Sequence, residues 1–396
     1  MTLPTVVYLL VVLAPVSLLI TLLAHAAVFV ALSPRLPGDG PAPPITVLKP
    51  VKGDEPGLYE NLASLARQDY PAYEILIGAD DARDPALETA RQVQEDFPQV
   101  PIGIHVGARQ LGLNPKVNLL SALFDRARHD AVLISDSNVR VGPEYLREMA
   151  AEMADPAVGL VTNMVVGDGA GVGALLETLH LNSFVAAATS LARVAVGRAC
   201  VIGKSMLLRR SDLERLGGLH EVRNVLAEDF VIGRMYELAG FRVALSPYLV
   251  RCMNDGWTVE RFLNRHVRWA QMRRRIAPAA YLGELLLNPV LWIALATLSL
   301  LATGPGRDLR LLAVAAAGVA VKCASDSLLC RRLRGKLPRA AEVIVMPLKD
   351  LAMAAIWLVA WFRRRVSWRG NELRIERGSL LTAAEPEAME AAQEVA

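Results

Sequence analysis

The sequence contains few cysteines, and their spacing excludes a disulfide-bonded framework. No two of them form a CxxC pair, which argues against both a small disulfide scaffold and a cysteine-based zinc motif. We interpret all of them as reduced structural thiols. The four cysteines are Cys200, Cys252, Cys323 and Cys330.

Two other patterns of site chemistry are missing. His180, His220 and His266 have no metal-ligand spacing with one another, so we expect no zinc site. Residues 203–205 read Gly-Lys-Ser, like the end of a phosphate-binding loop, but the Walker pattern requires glycine where Arg198 stands. The sequence also shows no internal repeat.

An excess of charge is missing as well. The formal net charge of the 396 residues is only +3, so overall charge does not suggest a nucleic-acid partner. Hydrophobic residues make up 53% of the chain and the mean hydropathy is +0.32, which is too apolar for a purely soluble protein. The length allows one catalytic domain together with several membrane segments.

The first apolar run covers residues 5–32 and contains no charged residue. It is long enough to span a bilayer of roughly 30 Å. Because no basic region precedes it and no small-residue cleavage site ends it, we predict an uncleaved membrane anchor at 1–33, followed by a Pro/Gly linker at 34–44. Arg35, Lys49 and Lys52 follow the run, and the positive-inside rule then places the next segment in the cytoplasm.

Residues 45–277 read as a soluble catalytic domain. Short apolar runs alternate there with helical patterns: Leu58, Leu62 and Leu65 share one helix face, and Leu87 and Val93 share another. This alternation predicts an α/β fold with a mixed, mostly parallel sheet and ligands at the carboxyl ends of the strands. The predicted strands are 45–48, 73–79, 131–135 and 158–162.

Apolar segments return in a C-terminal membrane region, which we place at 278–365. They cover 285–303, 309–329 and 343–362. Pro347, Lys349 and Asp350 interrupt the third segment, and charges at membrane depth are costly unless they face protein or water. Three full crossings would also place the arginines at 363–365 on the outer side, against the positive-inside rule, so we favour a re-entrant or interfacial hairpin there. We predict a cytoplasmic, partly disordered tail at 366–396.

Polar clusters stand at the ends of predicted elements, and each of them would have a physical role in sugar transfer from a nucleotide-sugar. A divalent cation held by Asp136 would neutralise a diphosphate leaving group, and Arg265 and Arg268 would add charge-assisted hydrogen bonds. Asp229 could accept the proton of an acceptor hydroxyl, and Asp81 could accept from base or ribose donors. Each cluster also has an ordinary interpretation as a turn, a helix cap or a headgroup contact; their order and spacing together favour catalysis.

The order Asp81, Asp136, Asp229 and the final Arg-x-x-Arg-Trp at 265–269 resembles the D, D, D, (Q/R)xxRW signature of inverting GT-A glycosyltransferases. More specifically, the chain resembles the ceramide glucosyltransferase family, glycosyltransferase family 21, over roughly residues 45–277 and the N-terminal anchor. The resemblance also rests on KPVKG at 49–53, QDYP at 68–71, GLNPKVN at 112–118, DSNVRV at 136–141 and AED at 227–229.

The resemblance implies a GT-A fold and a role for each matching residue. Asp81 would contact the uridine of a UDP-sugar, and Asp136 would hold Mg²⁺ or Mn²⁺ and the diphosphate. Asp229 would be the catalytic base, and Lys116 would also meet the donor. The final motif would close over donor and acceptor through Arg265, Arg268 and Trp269.

The resemblance further implies a lipid acceptor, most simply ceramide, and glucose as the transferred sugar. Asn138 stands where a second carboxylate of a DxD motif is usual, which predicts modest metal affinity. We expect the apolar stretch 175–194 to line the acceptor site, and an amphipathic helix near 258–275 to lie at the membrane interface. The protein would be a multi-pass component of a bacterial inner membrane with a cytoplasmic catalytic domain.

Other functions stay open. A hopanoid or diacylglycerol could replace ceramide, and galactose, glucuronic acid or N-acetylglucosamine could replace glucose. A processive polysaccharide synthase shares the signature but usually needs more membrane crossings. A catalytically inactive membrane scaffold is the alternative outside enzymology, and the intact Asp229, Arg268 and Trp269 argue against it.

Overall fold

The computed structural model describes residues 3–33, 42–303, 309–368 and 371–383. Most of the predicted linker and the predicted tail beyond residue 383 lie outside these ranges. The described chain forms a large sheet covered by helices, a helical bundle of membrane type and a small C-terminal sheet. The strands of the large sheet are β1 (Ile45–Pro50), β2 (Tyr73–Ala79), β3 (Ile102–Val106), β4 (Ala131–Ser135), β5 (Val139–Arg140), β6 (Val158–Asp168), β7 (Ser205–Arg209) and β8 (Arg242–Met253).

The large sheet has the order β3-β2-β1-β4-β7-β6-β8-β5. Strands β3, β2, β1 and β4 are parallel neighbours, as are β6 and β8. Strand β7 runs antiparallel to β4 and β6, and β5 runs antiparallel to β8. The predicted mixed, mostly parallel sheet is therefore confirmed. The bounds of β2 and β4 match the prediction, whereas β6 extends well beyond residue 162.

Two apolar cores lie on opposite faces of the sheet because side chains alternate along each strand. Val47 and Leu133 belong to one core, and Leu48, Val132 and Ile134 belong to the other. The helices that supply and surround these cores are α1 (Leu3–Ala31), α2 (Leu58–Ala66), α3 (Ala86–Asp96), α4 (Pro115–Phe124), α5 (Tyr145–Met153), α6 (Val172–His180), α7 (Ala186–Val196), α8 (Arg210–Arg215), α9 (Glu228–Leu238), α10 (Val259–Ile276), α11 (Pro278–Gly283), α12 (Pro289–Thr303), α13 (Leu309–Arg334) and α14 (Ala340–Phe362).

Four helical stretches of the described chain are long and apolar enough to cross a membrane: α1, α13, α14 and the stretch Val172–Val196, which joins α6 to α7 through a π-helical turn at Leu181–Val185. Residues Pro278–Leu287 and α12 form a further candidate, bent by 68°. Helix α1 packs against α7 and α12. The ends of α1 and α13 reach the second core through Val28, Leu32, Leu329 and Leu333, and so attach the bundle to the sheet.

Helix α14 is one continuous helix of 23 residues that passes through Pro347. It therefore differs from the hairpin that we favoured from the sequence. Its charges are buried against protein: Lys349 pairs with Asp350 at 2.5 Å, and Asp350 also pairs with Lys322 of α13. Because each charge has a partner inside the bundle, the helix need not leave the apolar layer at these positions.

The last described segment forms a three-stranded antiparallel sheet of order β11-β10-β9, which we call the C-terminal sheet. Its apolar side chains cluster with Leu226, and Met272 of α10 packs against them. The N-terminal part of the predicted tail therefore forms an ordered β-sheet. Its strands are β9 (Arg365–Trp368), β10 (Asn371–Ile375) and β11 (Leu381–Ala383).

Candidate active site

A cavity of about 880 Å³ opens beyond the carboxyl ends of β1 and β4. Parallel strands direct the residues that follow them to one edge of a sheet, where ligands bind in folds of this class. Six of the seven predicted site residues line this cavity. They are Lys116, Asp136, Asp229, Arg265, Arg268 and Trp269.

Asp136 follows β4 directly and lies between two lysines. Lys116 Nζ is 2.9 Å from one carboxylate oxygen, and Lys204 Nζ is 2.9 Å from the other. Burial alone would raise the pKa of Asp136, but the two ammonium groups reverse that effect and hold the pKa well below its usual range. The residue is therefore a carboxylate at every physiological pH, with cations beside it that can also face a phosphate.

Lys49 fixes the backbone on which Asp136 stands. This lysine is fully buried at the end of β1, and its Nζ donates to Asp136 O at 2.5 Å, Val139 O at 3.2 Å and Ser135 Oγ at 3.2 Å. Burial lowers the pKa of Lys49 to about 7. The KPVKG segment thus contributes a buried donor that joins the ends of β1 and β4.

The first turn of α4 orients the Lys116 side chain toward the site. Asn114 caps this helix, since its side chain accepts from the backbone of Lys116 at 2.9 Å and of Val117 at 3.1 Å, and Pro115 stands at the first helical position, where proline is well tolerated. Burial would lower the pKa of Lys116, but Asp136, Glu228 and Asp229 raise it above its usual value. Glu228, which we did not assign to the site, lies 2.9 Å from Lys116 Nζ.

Asp229 lies in the first turn of α9. Its Oδ2 accepts from Gly203 N at 2.5 Å, and its Oδ1 accepts from Phe230 N at 2.8 Å. Burial and the adjacent Glu228 raise the pKa of Asp229 to about 6, although Lys116 and the two N–H donors oppose the shift. A carboxylate with a pKa near the operating pH is suited to accept a proton.

Residues 203–205 belong to the site although they form no Walker loop. A Cβ at position 203 would lie 2.9 Å from Asp229 Oδ2 and 3.1 Å from Lys116 Nζ, so a larger residue there would displace the ends of these two side chains. Lys204 pairs with Asp136, and its Nζ also donates to Asn138 Oδ1 at 2.7 Å. Lys204 was not among the predicted site residues, because it reaches Asp136 only through the pairing of β7 with β4.

Helix α10 carries the Arg-x-x-Arg-Trp motif along the opposite wall of the cavity. The Arg265 guanidinium lies over the rings of Trp257 and Trp269, at 5.0 Å and 4.3 Å from their centroids. Glu177 of α6 is 3.5 Å from Arg265 Nη1 and accepts from His266 Nε2 at 2.5 Å. Glu177 and Trp257, neither of which we predicted, therefore hold Arg265 in place.

Asp81 is the predicted residue that the structure does not bring to the cavity wall. It follows β2 at the same edge of the sheet and is exposed, with its Oδ1 accepting from Arg83 N at 2.9 Å. Pro50, the last residue of the neighbouring strand β1, and Lys52, which follows that strand, do line the cavity. A contact between Asp81 and a nucleoside stays a prediction.

Asp136, the residue expected to hold a divalent cation, pairs with a lysine through each of its carboxylate oxygens. Among the residues that the structure describes, no group of three or more His, Cys, Asp or Glu side chains could hold a metal. Asn138 turns its amide toward Met253 O at 3.1 Å and accepts from Lys204. Magnesium is commonly bound by one or two carboxylates together with substrate phosphates, so Asp136 fits such an ion in combination with a diphosphate.

A large part of the cavity wall is apolar, although Arg273 and Glu284, which form an ion pair, also line the cavity. Helix α7 and the turn before it contribute the wall that we expected from the stretch 175–194, and α11 contributes the facing wall. These helices belong to the bundle of candidate membrane spans. The apolar lining residues include Phe184, Val185, Ala188, Ala192, Ile276, Ala277, Ala280 and Tyr281.

The chain matches a family model and several known proteins. The family model described as glycosyl transferase family 21 matches residues 7–381. Ceramide glucosyltransferase 3 of Caenorhabditis elegans is 27% identical over 253 residues, which are 62% of this chain and 54% of that protein. An N-acetylglucosaminyltransferase of Rhizobium meliloti (strain 1021) is 24% identical over 362 residues, which are 82% of each chain.

The chain spans about half the length of the ceramide glucosyltransferases of Caenorhabditis elegans that it matches. Among solved structures, the mannosyltransferase PcManGT from Pyrobaculum calidifontis, in complex with GDP-Man and Mn²⁺, superposes with a TM-score of 0.53 and 19% identity, covering 87% of this chain and 99% of that chain. This likeness concerns the fold and confirms the GT-A architecture.

Proposed function

Because this chain belongs to glycosyl transferase family 21, we propose that it transfers a sugar from a UDP-sugar to the hydroxyl of a lipid at the membrane surface. One observation carries the proposal: a single cavity joins a charged end, containing Asp136, Lys116 and Asp229, to an apolar end walled by candidate membrane helices. A soluble donor and an apolar acceptor would meet where these two ends join.

The charged end suits the departure of a diphosphate. Lys116 and Lys204 lie beside Asp136, and Arg265 lines the same cavity, so we expect these three cations to donate charge-assisted hydrogen bonds to phosphate oxygens. We expect Mg²⁺ or Mn²⁺ to be held by Asp136 and the phosphates, where the ion would neutralise charge that develops on the leaving group.

Asp229 would act as the general base. Its carboxylate takes the proton of the lipid hydroxyl while the hydroxyl oxygen forms a bond to the anomeric carbon and the bond from that carbon to the diphosphate breaks. UDP leaves on the opposite face, so an α-linked donor gives a β-glycoside. The N–H groups of Gly203 and Phe230 orient the carboxylate, and its raised pKa of about 6 favours proton transfer near neutral pH.

We propose ceramide as the acceptor and glucose as the sugar, because ceramide glucosyltransferases are among the relatives. Hopanoids and diacylglycerol stay alternative acceptors, because they too are apolar lipids with a hydroxyl group. The N-acetylglucosaminyltransferase relative supports N-acetylglucosamine as a second sugar. The catalytic domain would be cytoplasmic in a bacterial inner membrane, since Lys49 and Lys52 follow the first membrane helix.

Incubation of the purified full chain with a labelled UDP-sugar tests the proposal. UDP-glucose and UDP-N-acetylglucosamine would each be supplied with ceramide, diacylglycerol or a hopanoid in mixed micelles. We expect a chloroform-soluble labelled glycolipid whose formation depends on the added lipid. Label recovered only in ethanol-insoluble polymer would favour a polysaccharide synthase, and absence of transfer with every pair would contradict the proposal. Mass spectrometry of lipids from cells with and without the gene would identify the natural product.

A further inference from the structure

The loop before the proposed base, residues 223–227, is held on one side by the GLNPKVN segment. Asn114 Nδ2 donates to Val225 O at 2.6 Å, and Leu113 N donates to Asn224 Oδ1 at 2.8 Å. Gly112 lies so close to Arg223 that a Cβ there would be 2.6 Å from its carbonyl oxygen. The loop therefore cannot move away from α4 without breaking these hydrogen bonds.

The C-terminal sheet holds the same loop on its other side, and Ser379 is the centre of the contact. Leu226 N donates to Ser379 O at 2.9 Å, and Ala227 N donates to Ser379 Oγ at 2.9 Å. Leu381 N donates to Asn224 O at 2.7 Å. Ser379 is fully buried, so these bonds are shielded from competition with water.

Ser379 also has an unusual backbone. Its φ is 66°, and no other residue except glycine has a positive φ in the described part of the chain. The left-handed region is disfavoured for residues with a Cβ, and such a conformation persists only where its surroundings impose it, which is common at functional sites. Glycine would adopt this φ more easily but would lack the hydroxyl that bonds Ala227.

The C-terminal sheet contacts the second catalytic element as well. Gln271 of α10 donates from Nε2 to Arg365 O at 3.2 Å, and Met272 packs against the apolar core of the sheet. One small sheet therefore touches both the loop that leads into Glu228 and Asp229 and the helix that carries Arg265 and Arg268.

We propose that the C-terminal sheet positions the proposed base, with Ser379 as the positioning residue. This inference rests on the proposed transferase function. Helix α9 begins at Glu228, directly after Leu226 and Ala227, whose backbone N–H groups donate hydrogen bonds to Ser379. The position of these two residues therefore sets where the helix begins and where the Asp229 carboxylate lies. Displacement of a catalytic group by about 1 Å can reduce the rate of an enzyme by about 100-fold.

The variant Ser379→Gly tests the hydroxyl without adding backbone strain, because glycine tolerates a positive φ. We expect kcat for sugar transfer to fall by about 10-fold or more while KM for the UDP-sugar stays within about threefold, since the donor contacts at Asp136 are unchanged. Leu380→Ala is the matched control. Its side chain is exposed in the same segment, and we expect activity of the unsubstituted protein.

Hydrogen exchange of the full chain supplies a second measurement that does not depend on the variant. The amides of Leu226 and Ala227 should both exchange slowly in the unsubstituted protein. In Ser379→Gly the amide of Ala227, which loses its hydroxyl acceptor, should exchange faster, whereas the amide of Leu226 keeps the backbone carbonyl of residue 379 as its acceptor. Rapid exchange of both amides in the unsubstituted protein would overturn the inference. So would a Ser379→Gly variant with unchanged kcat, or one whose kcat and donor KM deteriorate together with a lowered melting temperature. If the unsubstituted protein itself transfers no sugar, the proposed function fails instead.

Discussion

Replacement of Asp229 by asparagine tests the proposed base most directly. The substitution removes the proton acceptor while keeping the shape of the side chain. General-base catalysis contributes about 10² to 10⁴ in rate, so kcat for sugar transfer should fall by that factor. Donor affinity should change little, because Lys116 and Lys204, which face the diphosphate position, still pair with Asp136.

The geometry also predicts a structural cost of this substitution. Asp229 accepts from Gly203 N with one oxygen and from Phe230 N with the other. An asparagine can satisfy only one of these donors, and its NH₂ group would face the other N–H. An unsatisfied buried donor costs about 1–3 kcal/mol, so we expect a lower melting temperature in addition to the kinetic defect.

The assay would compare three quantities in detergent micelles: kcat from labelled glycolipid, UDP affinity by calorimetry and melting temperature. Asp125→Asn is the matched control, since Asp125 forms a surface ion pair with Arg109 and such pairs contribute little. A kcat within about tenfold of the unsubstituted enzyme would refute the role of Asp229 as the base. A kinetic loss that is accompanied by an equal loss of UDP affinity would also refute it.

Three further results are expected. Because the pKa of Asp229 is raised to about 6, its base form is lost as the pH falls, and kcat/KM for transfer should decrease with pH through about 6; a flat profile from pH 5 to pH 8 would contradict this. Lys204→Gln removes a cation beside Asp136 and should raise KM for the UDP-sugar by about 10-fold in steady-state kinetics, with kcat less affected. Glu177→Gln removes the ion pair that holds Arg265 and should lower kcat/KM by about 10-fold, which the same assay would measure, and an unchanged value would remove Glu177 from the positioning of Arg265.

Much of the site could be predicted from local sequence. Asp136 directly follows the apolar strand β4, and Asp229 lies in the first turn of a helix. Parallel strands with alternating helices bring such strand ends to one edge. The Arg-x-x-Arg-Trp motif lies on a single helix, so its internal geometry is set by helical spacing. For these residues, the order along the chain and the resemblance to a known family were sufficient to predict that they come together, while their roles stay predictions.

Residues whose partners lie far away in the sequence were harder to predict as parts of the site. Glu177 lies in an otherwise apolar stretch, and only the packing of α6 against α10 places it beside Arg265. Lys204 precedes β7, a short strand that pairs antiparallel with β4, and that pairing alone puts its ammonium group opposite Asp136. Asp81 shows the converse, since its place in the motif order did not bring it into the wall of the cavity.

The sequence by itself determined the alternation of strands and helices, the apolar membrane-length segments and the chemical type of the site, because each of these depends on residues close together in the chain. Only the tertiary structure decided which distant groups meet there: the two lysines on Asp136, the glutamate behind Arg265 and the serine near the C-terminus that holds the loop of the proposed base. The physical reason is that hydrogen bonds and ion pairs require contact within a few ångströms, and residue order does not specify such contacts between segments that are far apart.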